Sequence, residues 1–125
     1  MSLHPEHTYV HLAPDGTAQE LDGAGFWRLP PEEFARYGKG WVISEYAYTS
    51  DWPNWEMHPE GDEFVYLLSG AVELLCEQGG EIVTTTLEGA GAVLVPRGVW
   101  HTAKVRQPSR VLHVTRGAGT QTRPA

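Results

Sequence analysis

The chain has 125 residues, of which 41% are hydrophobic and 20% charged, and its formal net charge is −7. A chain of this length buries enough apolar surface to fold as one domain. Its single cysteine, Cys76, excludes an internal disulfide, and no apolar run approaches the ~20 residues of a membrane span. Lys and Arg are absent between Lys39 and Arg97, which disfavours a phosphate-binding surface. We therefore expect a cytoplasmic protein that binds neither nucleic acid nor membrane.

Short β-strands are the dominant predicted elements. The first, Thr8–Leu12, precedes the turn signal Pro14-Asp15-Gly16. Prolines and carboxylates then begin the segment 30–38 and a glycine ends it, which predicts a helix of about two turns. The predicted strands that follow are Trp41–Tyr48, Glu63–Leu68, Ala71–Glu77, Glu81–Leu87, Ala92–Val95, His101–Val105 and Arg110–Thr115. Many short strands separated by turn residues, such as Ser69-Gly70 and Gln107-Pro108, predict a β-sandwich or barrel.

Several of these strands are apolar on both faces. In the segment 63–68, Val65 and Leu67 point one way while Phe64 and Tyr66 point the other. The outer face therefore needs a cover, either the N-terminal arm and helix or a second copy of the chain, and we favour a homodimer. We expect an arm and short helix over residues 1–39, a barrel over 40–116, and a C-terminal tail over 117–125 that frays because it has little to bury.

Two segments concentrate the residues that can hold a metal ion. Glu56 and His58 stand two apart on a predicted strand and so share a face, and the bend at 59–62 brings Glu63 round on the next strand. The second segment, 93–101, ends an apolar strand at Pro96, turns at Gly98 and places His101 at the start of another strand. Carboxylate and imidazole groups from the two segments are expected to converge.

This pair of segments resembles the two signature motifs of the cupin superfamily. In the first motif, His58, Glu63 and Gly70 agree with the family pattern, and in the second Pro96, Gly98 and His101 agree in register. The departures are Ser50 and Ala90 for glycines, Val105 for asparagine, and Glu56 where the family has histidine. The resemblance covers residues 40–115.

The resemblance implies an all-β cupin fold, a double-stranded β-helix or jelly-roll barrel, with the short N-terminal helix packed on it. It also implies one divalent metal ion, Fe(II), Mn, Ni, Zn or Cu, held by His58, Glu63 and His101. Glu56 has two interpretations: a fourth metal ligand, or a catalytic general base beside the metal. Because two carboxylates balance the charge of a divalent ion, Glu56 as a ligand lowers the Lewis acidity of that ion.

Aromatic residues and one cation near the motifs are candidates for a substrate pocket. Tyr46, Tyr48 and Trp55 can line a pocket for a flat ligand, and Arg97 can attract a carboxylate. We therefore predict a metal-dependent enzyme of the dioxygenase or isomerase type acting on a small organic molecule. The alternative is a non-catalytic binding or sensing barrel, with or without metal. His4, His7 and His11 have helical spacing, but Pro5 argues against a helix and against a native site there.

Overall fold

The structure is a computed structural model that describes residues 2–125. It consists mainly of antiparallel β-strands. Its elements are β1 (Thr8–Leu12), β2 (Ala18–Asp22), α1 (Gly23–Phe26), α2 (Pro31–Ala35), β3 (Trp41–Tyr48), β4 (Asn54–Met57), β5 (Glu63–Gln78), β6 (Glu81–Glu88), β7 (Gly91–Val95), β8 (His101–Thr115) and β9 (Gln121–Pro124). Among these residues no helix has the length and apolar character that crossing a membrane requires.

The two longest strands, β5 and β8, form the centre of the barrel. They pair with each other over most of their length, β5 also pairs with β6 and β7, and β8 also pairs with β3 and β4. The main core lies between these strands and includes Val65, Leu67, Leu74 and Val111, each almost fully buried. The predicted all-β fold class is thus confirmed, and the barrel brings the starts of β5 and β8 to the same end as β4.

Two predicted turns, Ser69-Gly70 and Gln107-Pro108, lie inside the long strands β5 and β8. Ser69-Gly70 was predicted to separate two strands, yet β5 continues through it with shifts of register against β8 between Leu67 and Val72. Gly70 has a φ of 102°, and a Cβ at this position would stand 2.3 Å from Oγ of Ser109. Only glycine allows this close approach, so the pattern reads as a turn although it marks a bulge that curves the strand.

The N-terminal residues form a second, smaller core beside the barrel. Tyr9, Leu21 and Phe26 are buried there, and Val42 and Tyr46 of β3 pack against them. The strand β2, which the sequence did not predict, pairs with β1 as a hairpin. The helix predicted within residues 30–38 is the shorter α2, and α1 was not predicted. Asp22 caps α1 by accepting a hydrogen bond from the Gly25 N–H.

The C-terminal residues are ordered against the barrel, so the prediction of a frayed tail is wrong. β9 pairs with β4, with Thr122 opposite Glu56. The guanidinium of Arg123 lies over the rings of Trp55 and Trp100, 5.2 and 4.5 Å from their centroids, and donates a hydrogen bond to Glu77. These partners are distant in sequence, and local composition therefore gave no sign of them.

Candidate metal centre

Four predicted ligand residues converge at one end of the barrel. Glu56 is in β4, His58 follows it, Glu63 begins β5 and His101 begins β8. His58, Glu63 and His101 are 6%, 3% and 0% exposed, whereas the side chain of Glu56 is 40% exposed. Three of the candidate ligands therefore lie inside the barrel, and the fourth lies at its opening.

Three buried atoms of this group face one another without hydrogen-bond partners among residues 2–125: Nε2 of His58, Nε2 of His101 and Oε1 of Glu63. Oε1 of Glu63 lies 2.9 Å from Nε2 of His101 and 3.6 Å from Nε2 of His58. Leaving buried polar atoms unpaired costs on the order of 1–3 kcal/mol each. A cation between them would remove that cost.

The opposite nitrogen of each ring determines that Nε2 carries a lone pair. The Thr120 hydroxyl donates its only proton to the carbonyl of Gly117, so it accepts a hydrogen bond from Nδ1–H of His58, 2.8 Å away. Nδ1 of His101 donates to the carbonyl of Val99 at 3.1 Å. When the rings are neutral, both therefore direct an unprotonated Nε2 toward Glu63, which is the tautomer a metal ion requires.

The second oxygen of Glu63 is fully engaged elsewhere. Oε2 accepts hydrogen bonds from the Thr115 hydroxyl at 2.6 Å and from Nδ1 of His113 at 3.3 Å. Burial alone would raise the pKa of Glu63, but the imidazoles of His101, His113 and His58 hold that pKa well below its ordinary value. Glu63 is therefore a carboxylate with one oxygen fixed and one oxygen available.

The carboxylate of Glu63 also affects the pKa of His101. Burial lowers this pKa, but the adjacent carboxylate outweighs burial and raises the pKa above its usual value. Without a metal ion, a proton on His101 is the charge that makes the 2.9 Å approach favourable. A divalent ion would take over the same role.

Glu56 completes the group from the exposed side. Its Oε2 lies 3.8 Å from Nε2 of His58, and ligand atoms of Glu56, His58 and His101 all lie within 4.8 Å of one another. Ligands at 2.0–2.2 Å from one ion stand roughly 3 to 3.6 Å apart. Three pairs, Glu63 with His101, Glu63 with His58 and Glu56 with His58, are separated by 2.9 to 3.8 Å, which is close to that range.

A cavity of about 460 Å³ opens beside these ligands. Glu56, His58 and Glu63 form one end of it, and Tyr46 and Tyr48 form part of its wall. Burial raises the pKa values of both tyrosines, so they are neutral phenols at physiological pH. The hydroxyl of Tyr48 lies 3.1 Å from Nε2 of His113, which connects the cavity wall to Glu63.

The other two pocket candidates lie elsewhere. Trp55 packs against Arg123 outside the cavity. Arg97 borders a separate surface depression with Trp41 and Asp62, and its backbone N–H donates to Asp62. Of the three N-terminal histidines, His11 is buried and its ring bonds to the carbonyl of Lys39. The only cluster with metal-ligand spacing among residues 2–125 consists of Glu56, His58 and His101.

Several residues of the site were not found from the sequence. Thr115 and Thr120 orient Glu63 and His58, and Trp27, Phe34 and Tyr37 of the N-terminal segment line the cavity. His113 was not among the predicted site residues. No local signal identifies these residues, because each acts through a contact that the barrel creates between distant segments.

No protein-family model matches the chain, and no curated protein matches it. Several solved structures, in contrast, are similar to the chain. A cupin-2 domain protein from Shewanella frigidimarina superimposes with a TM-score of 0.52 at 15% identity, covering 60% of this chain and 69% of that one. An oxalate oxidase superimposes with a TM-score of 0.55 at 11% identity, covering 64% of this chain and 44% of that one. A hydroquinone 1,2-dioxygenase, solved with Cd²⁺ and 4-hydroxybenzonitrile, superimposes with a TM-score of 0.51 at 19% identity. The match covers 60% of this chain and 56% of that one. The chain has the cupin fold.

The cupin fold confirms the resemblance drawn from the two motifs. The chain spans less than half of the oxalate oxidase and somewhat more than half of the dioxygenase. At these identities the likeness concerns the fold, and cupin barrels support many activities. The function therefore has to be argued from the side chains at the cavity.

Proposed function

We propose that the chain is a metal-dependent cupin enzyme that acts on a small organic molecule at one divalent ion. The observation that carries this proposal is the convergence of three buried atoms without hydrogen-bond partners, from His58, His101 and Glu63, beside a cavity that His58 and Glu63 line. Two imidazoles and one carboxylate are the donor set typical of mononuclear non-haem Fe(II) centres. Glu56 is either a fourth ligand or a base beside the ion.

The bound ion would supply either one-electron chemistry with O₂, if it is iron, or polarisation of a carbonyl group. The protein's own residues bind and orient the substrate. Glu56 is partly exposed and lies at the cavity, where its carboxylate can accept a proton from a bound molecule. Among similar structures, an epoxidase is described in an Fe(II) form with its substrate, which supports iron as the first metal to test.

The cavity distinguishes this proposal from a closed, non-catalytic site. An enzyme needs a substrate path to exchangeable positions on the ion, whereas a structural site uses only protein ligands. Here the cavity reaches three of the four ligand residues. This arrangement favours catalysis over the alternative of a binding or sensing barrel.

Nitric oxide binding to the Fe(II)-loaded protein tests for an open position. We expect an electron paramagnetic resonance signal of an Fe(II)–nitric oxide adduct in the wild type and none in His101→Ala, which removes a fully buried ligand. The control is His7→Ala, a change at an exposed histidine outside the site, which should keep the signal. Stoichiometric iron without an adduct would favour the non-catalytic alternative.

A further inference from the structure

The cavity contains two carboxylates, and the only basic side chains in its lining are histidines. Its lining residues include Glu56 and Glu63, and none of the lining residues, all of which the structure describes, is lysine or arginine. The charge of a divalent ion would be balanced by the two carboxylates. An anionic group entering the cavity would then lose its hydration without gaining a net positive partner, which is unfavourable.

Aromatic side chains form a large part of the cavity walls. Seven aromatic side chains line it, and they extend from the N-terminal helices to the ligands. Trp27 at the outer part is 58% exposed, and its ring lies 6.4 Å from Tyr46, which in turn lies 5.9 Å from Tyr48. Such an exposed indole beside a concave aromatic surface is typical of a ligand site. Aromatic walls favour flat rings through offset or edge-to-face contacts.

From this combination we infer that the cavity takes a neutral molecule built on one or two aromatic rings, with an oxygen substituent directed at the metal centre. The inference rests on the proposed function, because the metal ligands form the end of the cavity that the substituent would reach. A volume of about 460 Å³ accommodates such a molecule. Small carboxylates and phosphonates are excluded as the main substrate class on grounds of charge.

Three probes that differ in rings and charge test the inference directly. 2-Naphthol is neutral at pH 7, whereas 2-naphthoate has the same rings and a negative charge, and glycolate has the charge without the rings. We expect isothermal titration of the Zn²⁺-loaded protein to give at least about tenfold tighter binding of 2-naphthol than of either anion. Zn²⁺ is used because it has no redox chemistry.

Three variants separate charge from shape. Asn54→Lys places a cation on an exposed position of the cavity and should shift the preference toward 2-naphthoate. Gln78→Lys adds the same charge at an exposed position outside the cavity and should leave the preference unchanged. Trp27→Ala removes part of the aromatic wall and should weaken the binding of 2-naphthol several-fold.

Metal content measured on the same samples separates the two proposals. If one equivalent of Zn²⁺ is bound but 2-naphthoate or glycolate binds as tightly as 2-naphthol, the inferred substrate class is wrong and the metal centre stands. If no Zn²⁺ is bound, the proposed function fails. Selective binding of 2-naphthol to that metal-free protein would still support the inferred ligand class.

Discussion

At the scale of single residues, Thr120 determines the orientation and the tautomer of the His58 ring. Its hydroxyl donates to Gly117 and accepts from Nδ1 of His58. The ring is thereby held in one tautomer and one orientation, with Nε2 aimed at Glu63. Partners of this kind commonly contribute 10- to 100-fold to metal affinity.

We expect Thr120→Val, which keeps the shape and removes the hydroxyl, to weaken metal binding about 10- to 100-fold. Thr120→Ser retains the hydroxyl and should restore most of the affinity. Competition of each variant with a chromogenic chelator for Zn²⁺ measures the effect. Equal affinities of the valine variant and the wild type would show that Thr120 does not position His58.

The geometry is compatible with two roles of Glu56, a metal ligand and a general base. If it is a ligand, Glu56→His keeps a donor at that position and adds an imidazole, so the affinity for Zn²⁺ or Ni²⁺ should stay the same or rise relative to that for Mn²⁺. Chelator competition with each metal reports this preference. An unchanged affinity and an unchanged order of metals would instead indicate a base or a bystander.

At the scale of elements, β9 closes the site from the C-terminal side. It pairs with β4, which carries Glu56, and the loop before β9 supplies Thr120. Arg123 fastens the strand between Trp55 and Trp100 and pairs with Glu77. Each cation–π contact at a partly exposed site contributes about 0.5–1 kcal/mol.

Arg123→Ala should therefore lower the free energy of unfolding by about 1–2 kcal/mol. The control is Arg106→Ala, because Arg106 pairs with Glu73 on the surface without an aromatic ring in contact, and its loss should destabilise the protein less than the loss of Arg123. Urea unfolding followed by tryptophan fluorescence measures both. Equal losses in the two variants would contradict the role assigned to the aromatic contacts.

The sequence predicted the candidate metal ligands but not all of the elements that support them. His58, Glu63 and His101 were predictable because strand alternation and turn residues fix where nearby side chains point. The bulge at Gly70 resembled a turn, since both need glycine at positive φ. Thr120 and β9 were missed because their partners lie dozens of residues away, in β4 and after it.

At the scale of the whole molecule, one outer face of the barrel stays uncovered. The N-terminal arm packs at Val42 and Tyr46, on the cavity side, and leaves Leu94 66% and Tyr66 38% exposed on the opposite side of the sheet. We propose that a second copy of the chain packs on this apolar surface. Such packing forms a homodimer through this face.

We expect sedimentation velocity at micromolar concentration to give a dimer for the wild type and a monomer for Leu94→Glu, which places charge at the centre of that face. Ile82→Glu, at an equally exposed apolar position on β6, is the control and should remain dimeric. A monomeric wild type would contradict the proposal.

The central claim is that His58, Glu63 and His101 hold a metal ion, and elemental analysis of untagged protein tests it most directly. The protein is prepared without added metal or chelator, beside His101→Ala and the control His7→Ala. We predict about one equivalent of Fe, Mn, Ni, Zn or Cu in the wild type and in His7→Ala, and none in His101→Ala. Absence of metal in all three, with no uptake when metal is offered, or unchanged metal in His101→Ala, would contradict the account.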